Sequence, residues 1–187
     1  MKKVVNIIEN LPKWYGLGII LIYSVLLAEY FSALYHLMPF DVSMGRIFTI
    51  ITRISYVASI LSGIIIWILM TFLFHLTATL FDGKSTFGHF LLTASYPYII
   101  PAVMIVAGIS LIDTVQIPKD ADVVPFLMGN QTFQLAVNLV NYSFLPYYIL
   151  VAIIIHYVHQ IKFIYSCLSI VFPVFAIWGI TELIKLI

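Results

Sequence analysis

The chain has 187 residues, of which 63% are hydrophobic and 9% charged, and its net charge is +1. Soluble domains carry about 25% charged residues, and a chain of this length has room for one domain, so the apolar excess points to a bilayer as solvent. The small net charge excludes an electrostatic footprint for nucleic acid, and the single cysteine, Cys167, excludes an intrachain disulfide and a cysteine-based metal cluster.

Residues 1–14 place Val4, Ile7, Ile8, Leu11 and Trp14 at helical spacing, with Lys2, Lys3, Glu9 and Lys13 elsewhere. That pattern predicts a short amphipathic helix lying in the membrane interface, with Pro12 turning the chain into the bilayer. The first span is expected over 17–38. Its apolar run is too long for the roughly 7–15-residue core of a cleavable signal peptide, so it reads as a retained span. Trp14 and Tyr15 stand at its entrance, where amphipathic rings prefer to be.

Residues 39–53 read as a mixed connection. Asp41 or Ser43 would cap a short interfacial helix with Ile47, Ile50 and Ile51 toward lipid and Arg46 and Arg53 toward headgroups. The second span follows over 54–80. A polar turn, Asp82-Gly83-Lys84-Ser85-Thr86, leads into the third span at 90–112, where Thr93, Pro97 and Pro101 sit at i, i+4 and i+8. Proline frees carbonyls of the preceding turn, so this kinked face should pack on neighbouring helices.

The long polar connection, 113–132, is net acidic. Gln131 to Asn141 reads as a short surface helix, and the fourth span is expected over 137–160, with Pro146 starting or kinking it. After a tight turn at Ile161-Lys162, the fifth span covers 163–186 with a small-residue stripe of Ser166, Ser169, Pro173 and Ala176. The expected fold is therefore all-α: an integral membrane protein, one domain, five transmembrane helices in a bundle with a short N-terminal interfacial helix. The lysine and arginine distribution favours a cytoplasmic N-terminus.

Few residues could carry chemistry. Glu29 lies near the middle of the first span, with Ser32 and His36 at i+3 and i+7 on the same face. An intramembrane carboxylate costs several kcal/mol and marks a functional site by default. The competing reading is a protonated or hydrogen-bonded tie to a serine or tyrosine. His36 and His75 fall at opposite ends of antiparallel spans and should not share a metal. His156 and His159, at i and i+3, lack the company that a metal site needs and read as interfacial histidines. Asn130-Gln131-Thr132 and Asn141-Tyr142-Ser143 match the glycosylation pattern. There is no G-x-S-x-G, no G-x-G-x-x-G and no P-loop, and Asp82-Gly83-Lys84-Ser85 reads as a turn. No catalytic, cofactor or metal residue is assigned.

The order of these features resembles the Yip-domain family of small polytopic membrane proteins. The resemblance rests on Phe81, Gly83, Lys84 and Phe87 in the hinge between spans two and three, on Tyr96, Pro97 and Pro101 in the run that follows, and on the last hairpin, Tyr157 to Tyr165. It implies a bundle with few charges inside it. Eukaryotic members belong to the early secretory pathway, carry a long cytosolic N-terminal region and bind prenylated Rab GTPases. About fifteen residues precede the first span here, which favours a prokaryotic member at the plasma membrane over an ER or Golgi protein. The expected function is non-enzymatic: engaging membrane proteins, further copies of the chain or lipids, in membrane shaping or trafficking. The alternative is a small transporter or channel using Glu29.

Overall fold

The computed structural model describes residues 2–37, 45–118 and 121–185. Every regular element among them is helical: α1 Lys2–Asn10, α2 Lys13–His36, α3 Gly45–Leu80, α4 Phe87–Thr93, a 3-10 turn Tyr96–Tyr98, α5 Ile99–Ile112, α6 Val123–Gly129, α7 Gln131–Tyr142, α8 Phe144–Val158 and α9 Phe163–Ile184. Five stretches are long and apolar enough to cross a membrane: Lys13–His36, Ile50–Leu80, Phe87–Ile112, Gln131–Val158 and Phe163–Ile184.

Two expectations change. The segment 39–53 was to hold a separate interfacial helix, but from Gly45 onward it is the first turns of α3, a continuous helix of 36 residues and about 54 Å. Arginine is a good helix former, so Arg46 and Arg53 interrupt the apolar run without interrupting the helix. The proposed caps, Asp41 and Ser43, lie outside the described residues. The second change is α7. It is not a surface helix: Ala136 and Val140 are buried, α7 packs along α5, and α7 and α8 together make the fourth long stretch. Pro146 is the third residue of α8, where a missing N–H costs no helical bond.

The chain divides into two compact units. One comprises Met1–Ile19, Ile65–Pro97 and Pro146–Ile187. Here α3 buries a narrow stripe, Trp67, Thr71, Phe74 and Ala78, while Leu69, Phe72 and Leu76 beside it stay exposed. This i, i+4, i+7, i+11 spacing is one helical face. α9 buries Ser166, Ser169, Ile170 and Pro173, whereas Ala176 of the expected stripe is exposed. Pro173 has no N–H to offer the Ser169 carbonyl one turn earlier. The Thr77 hydroxyl of α3 lies 2.7 Å from that carbonyl and supplies the missing donor. Near the chain's start, Pro12 separates α1 from α2. Its carbonyl accepts from Tyr15 N and from the Tyr96 hydroxyl, both at 2.9 Å.

Hydroxyls brace the turns that lead into the kink. Residues Thr93, Ala94, Ser95, Tyr96, Pro97 and Tyr98 are all buried. The Thr93 hydroxyl donates to the His89 carbonyl at 2.8 Å and Ser95 to the Leu92 carbonyl at 2.5 Å. The carbonyl that Pro97 leaves without its helical donor is that of Thr93, one turn earlier, inside this buried segment.

The other unit comprises Ile20–Ile64 and Tyr98–Leu145. Small residues set its close approaches. A methyl group added at Gly63 would stand 2.7 Å from Ser24 Oγ, and one at Gly108 would stand 3.0 Å from Val140 Cγ2. Such positions let helix backbones come together. Tyr23 meets Tyr98 edge-on at 4.9 Å. Asn130 caps α7, its side chain accepting from Phe133 N at 2.9 Å. This gives the first glycosylation-pattern asparagine a structural use.

The Thr77–Pro173 pairing is open to a thermal-unfolding cycle in detergent. Thr77→Val is expected to cost about 1–2 kcal/mol, the price of an unsatisfied buried carbonyl. In a Pro173→Ala background, where the alanine N–H reaches Ser169 O, the cost is expected to fall by about 1 kcal/mol. Equal costs in both backgrounds would show that the hydroxyl does not replace the proline's missing donor.

Candidate functional site

The hinge after α3 is built by a reversal of backbone hand. Gly83 N returns to the Ala78 carbonyl at 3.1 Å, and Asp82, with φ of 63°, takes the left-handed position. Aspartate is among the few non-glycine residues that adopt this region readily. Gly83 is needed for a different reason, which is space. A methyl group there would lie 2.6 Å from His159 Nδ1 and 2.8 Å from the Ala78 carbonyl oxygen.

His159 belongs to the second short hinge, between α8 and α9. Gln160 beside it also has a left-handed backbone, with φ of 57°. Lys84 N donates to the His159 carbonyl at 3.1 Å, a backbone bond that ties the two hinges together. The rings follow. Phe81 stacks on Tyr165 with centroids 5.0 Å apart and planes 7° from parallel. Phe87 packs on His75 at 5.6 Å, and Phe90 meets the His159 ring edge-on at 5.0 Å.

The histidines sit inside this joint. His159 is fully buried. Its Nε2 lies 3.5 Å from His75 Nδ1, so one imidazole N–H is shared between the rings and the other nitrogen accepts. His159 Nδ1 has no hydrogen-bond partner among the described residues. His156 does not join the pair, because its Nδ1 turns to the Ile161 carbonyl. His89 on α4 lies 3.5 Å from Glu9 of α1. Among the described residues, no three histidine, cysteine or carboxylate side chains converge as a metal would need. What the arrangement can do is hold, share or release a proton at the point where two hinges meet.

The sequence-predicted residues divide between the units. In the first, Phe81, Gly83, Lys84 and Phe87 all take part in the joint. Tyr96 reaches Pro12 and Pro97 is buried, while Pro101, also buried, belongs to the other unit. The His75–His159 contact went unseen in the sequence, where each histidine was weighed with another partner. The only signal was that both stand within one or two turns of a short hinge.

In the second unit, Glu29 lies between four and five residues past the midpoint of α2, and its side chain is exposed. Seven residues separate it from His36, about 10 Å along the axis. The Tyr56 hydroxyl of α3 donates to Glu29 Oε1 at 2.6 Å. Glu29 thus has a tyrosine partner that sequence reasoning allowed in kind but did not locate. Ser32 lines a shallow groove beside it with Thr52, Ser55, Tyr56 and Ser59. His36 is exposed at the helix end and is not hydrogen-bonded to Glu29 or Ser32.

Comparison with protein-family models, curated proteins and solved structures finds no match for the chain.

The crowding at Gly83 gives a paired test. Gly83→Ala is expected to lower stability by about 1–3 kcal/mol, because the Ala78 carbonyl is backbone and cannot swing away. Gly88→Ala, where a methyl group meets nothing within 4 Å, is expected to be neutral or stabilising. Thermal unfolding of the two variants in one detergent checks this, and equal midpoints would show that the hinges do not press on each other there.

Proposed function

We propose that the chain is a multi-pass membrane protein of the Yip-domain type, its five long helices bundled in a bilayer. In this reading it works without chemistry of its own, by engaging membrane proteins, lipids or further copies of itself. One observation carries the reading: the long helices leave large apolar side chains outside. Leu21, Ile54, Ile65, Leu76, Ile149 and Phe175 are all exposed, most of them by more than half. Apolar surface on this scale needs lipid or a partner against it.

The family reading is supported by the joint. The hinge residues on which the resemblance rests are the ones that meet the last hairpin, through Phe81 on Tyr165 and Gly83 on His159. The charge pattern favours an N-terminus on the cytoplasmic side, and a prokaryotic plasma membrane is the location this reading takes. Rab-type GTPases would be partners only in a eukaryotic setting. Glu29 is assigned a tying role, since its carboxylate accepts from Tyr56 on the neighbouring helix. The transporter reading would need this pair to exchange protons or ions.

Three measurements test these readings. The chain is expected to stay with membranes through alkaline carbonate extraction, and a thiol at Ser85 to be labelled only from the cytoplasmic side. Release by carbonate, or labelling from outside, would defeat the membrane placement. Reconstituted vesicles are expected to show no proton or cation flux above empty vesicles. A flux abolished by Glu29→Gln would favour transport.

A further inference from the structure

We propose that the His75–His159 pair is a proton-operated latch: neutral, it holds the α3–α4 hinge against the α8–α9 hinge, and protonated, it releases them. Four features place the latch at the joint rather than merely near it. The two rings share one N–H across 3.5 Å. His159 is fully buried and its second nitrogen faces Gly83, where even a methyl group has no room. The His159 carbonyl is the acceptor for Lys84 N, so a shift of this residue breaks the bond between the hinges. Phe90 and Phe87 close the remaining sides with apolar rings.

Adding a proton to this site has no compensation. Protonated His159 must donate from both nitrogens, and Nδ1 has no acceptor where it stands. The charged and titratable groups around it are mostly basic. α3 brings His75, α4 brings His89, α8 brings His156, and the two hinges bring Lys84 and Lys162. Of the acids, Glu9 is engaged with His89, and Asp82 is exposed on the hinge. With both rings charged, two imidazolium centroids would stand 5.1 Å apart in a setting of low dielectric, where like charges repel strongly. The relief available is separation of the hinges, which admits water to Nδ1.

Burial first, then His75 and His89, hold His159 down to about 4 from its ordinary 6.5. A group depressed in the folded state binds its proton more readily when released. The closed joint therefore keeps its full stabilisation above about pH 6.5 and loses it as pH falls through about 4. Two interacting histidines titrate in two macroscopic steps that belong to the pair, and the opening follows those steps.

The test uses the full chain in liposomes with Cys167→Ser. Nitroxides are placed on the first hinge and on the first turn of α9 through Ser85→Cys and Ile164→Cys, and their separation is read by pulsed electron resonance. At about pH 7.5 the distribution is expected to be narrow. At about pH 4 it should lengthen or broaden reversibly by about 5 Å or more, with helical circular dichroism unchanged. His159→Gln and His75→Gln, each in the same labelled chain, are expected to abolish the movement, and either one suffices if the other does not fold. A distance that does not change with pH overturns the proposal. So does movement that persists in a folded variant, or movement that comes only with loss of helix.

Discussion

The structure turns on the contact between Gly83 and His159. In a chain with so few charges, almost nothing long-ranged can specify which helix end meets which. A short hinge with no side chain at one position, pressed on a fully buried ring from the other hinge, does specify it. The Lys84–His159 backbone bond and the Phe81–Tyr165 stack then follow from the same approach. The geometry leaves little slack, because the second atom within reach of a Gly83 methyl group is a backbone carbonyl.

A second constraint is backbone satisfaction. Prolines in apolar helices free carbonyls that water cannot reach. At Pro173 the chain answers with a hydroxyl from a neighbouring helix, where Thr77 serves Ser169. Thr93 and Ser95 bond the His89 and Leu92 carbonyls in the turns that lead into Pro97. The buried face of α3 is narrow and its other faces are wide and apolar, a surface that a lipid environment would solvate. The hydroxyls of these helices therefore act as ties, and the Glu29–Tyr56 pair belongs with them as a carboxylate tie on an exposed face.

What was legible in the sequence was what local chemistry decides. Five long apolar stretches, the break at Pro12 and the buried kink at Pro97 and Pro101 can be read from hydropathy and from proline's missing donor. The hinge could be located from Asp82-Gly83, but not the role of each residue: aspartate takes the left-handed backbone and glycine supplies the space. The start of α3 was misplaced because two arginines look like an end to an apolar run, yet arginine favours helix. α7 was misread because Gln131, Asn138 and Asn141 obscure the buried pair Ala136 and Val140. The candidate site was legible only in part. His75 and His159 stand 84 residues apart, and Glu29 and Tyr56 stand 27 apart. No periodicity within one helix reports such pairs, since they exist only once the helices pack.

The most direct measurement of the joint is native-state hydrogen exchange at the Lys84 amide, in the full chain reconstituted in nanodiscs near neutral pH. If the two hinges are locked through His159, this amide is protected to the level of amides in the neighbouring helices, despite lying in a short exposed turn. Exchange at the rate of a free loop would contradict the account, because the bond that joins the hinges would then not persist.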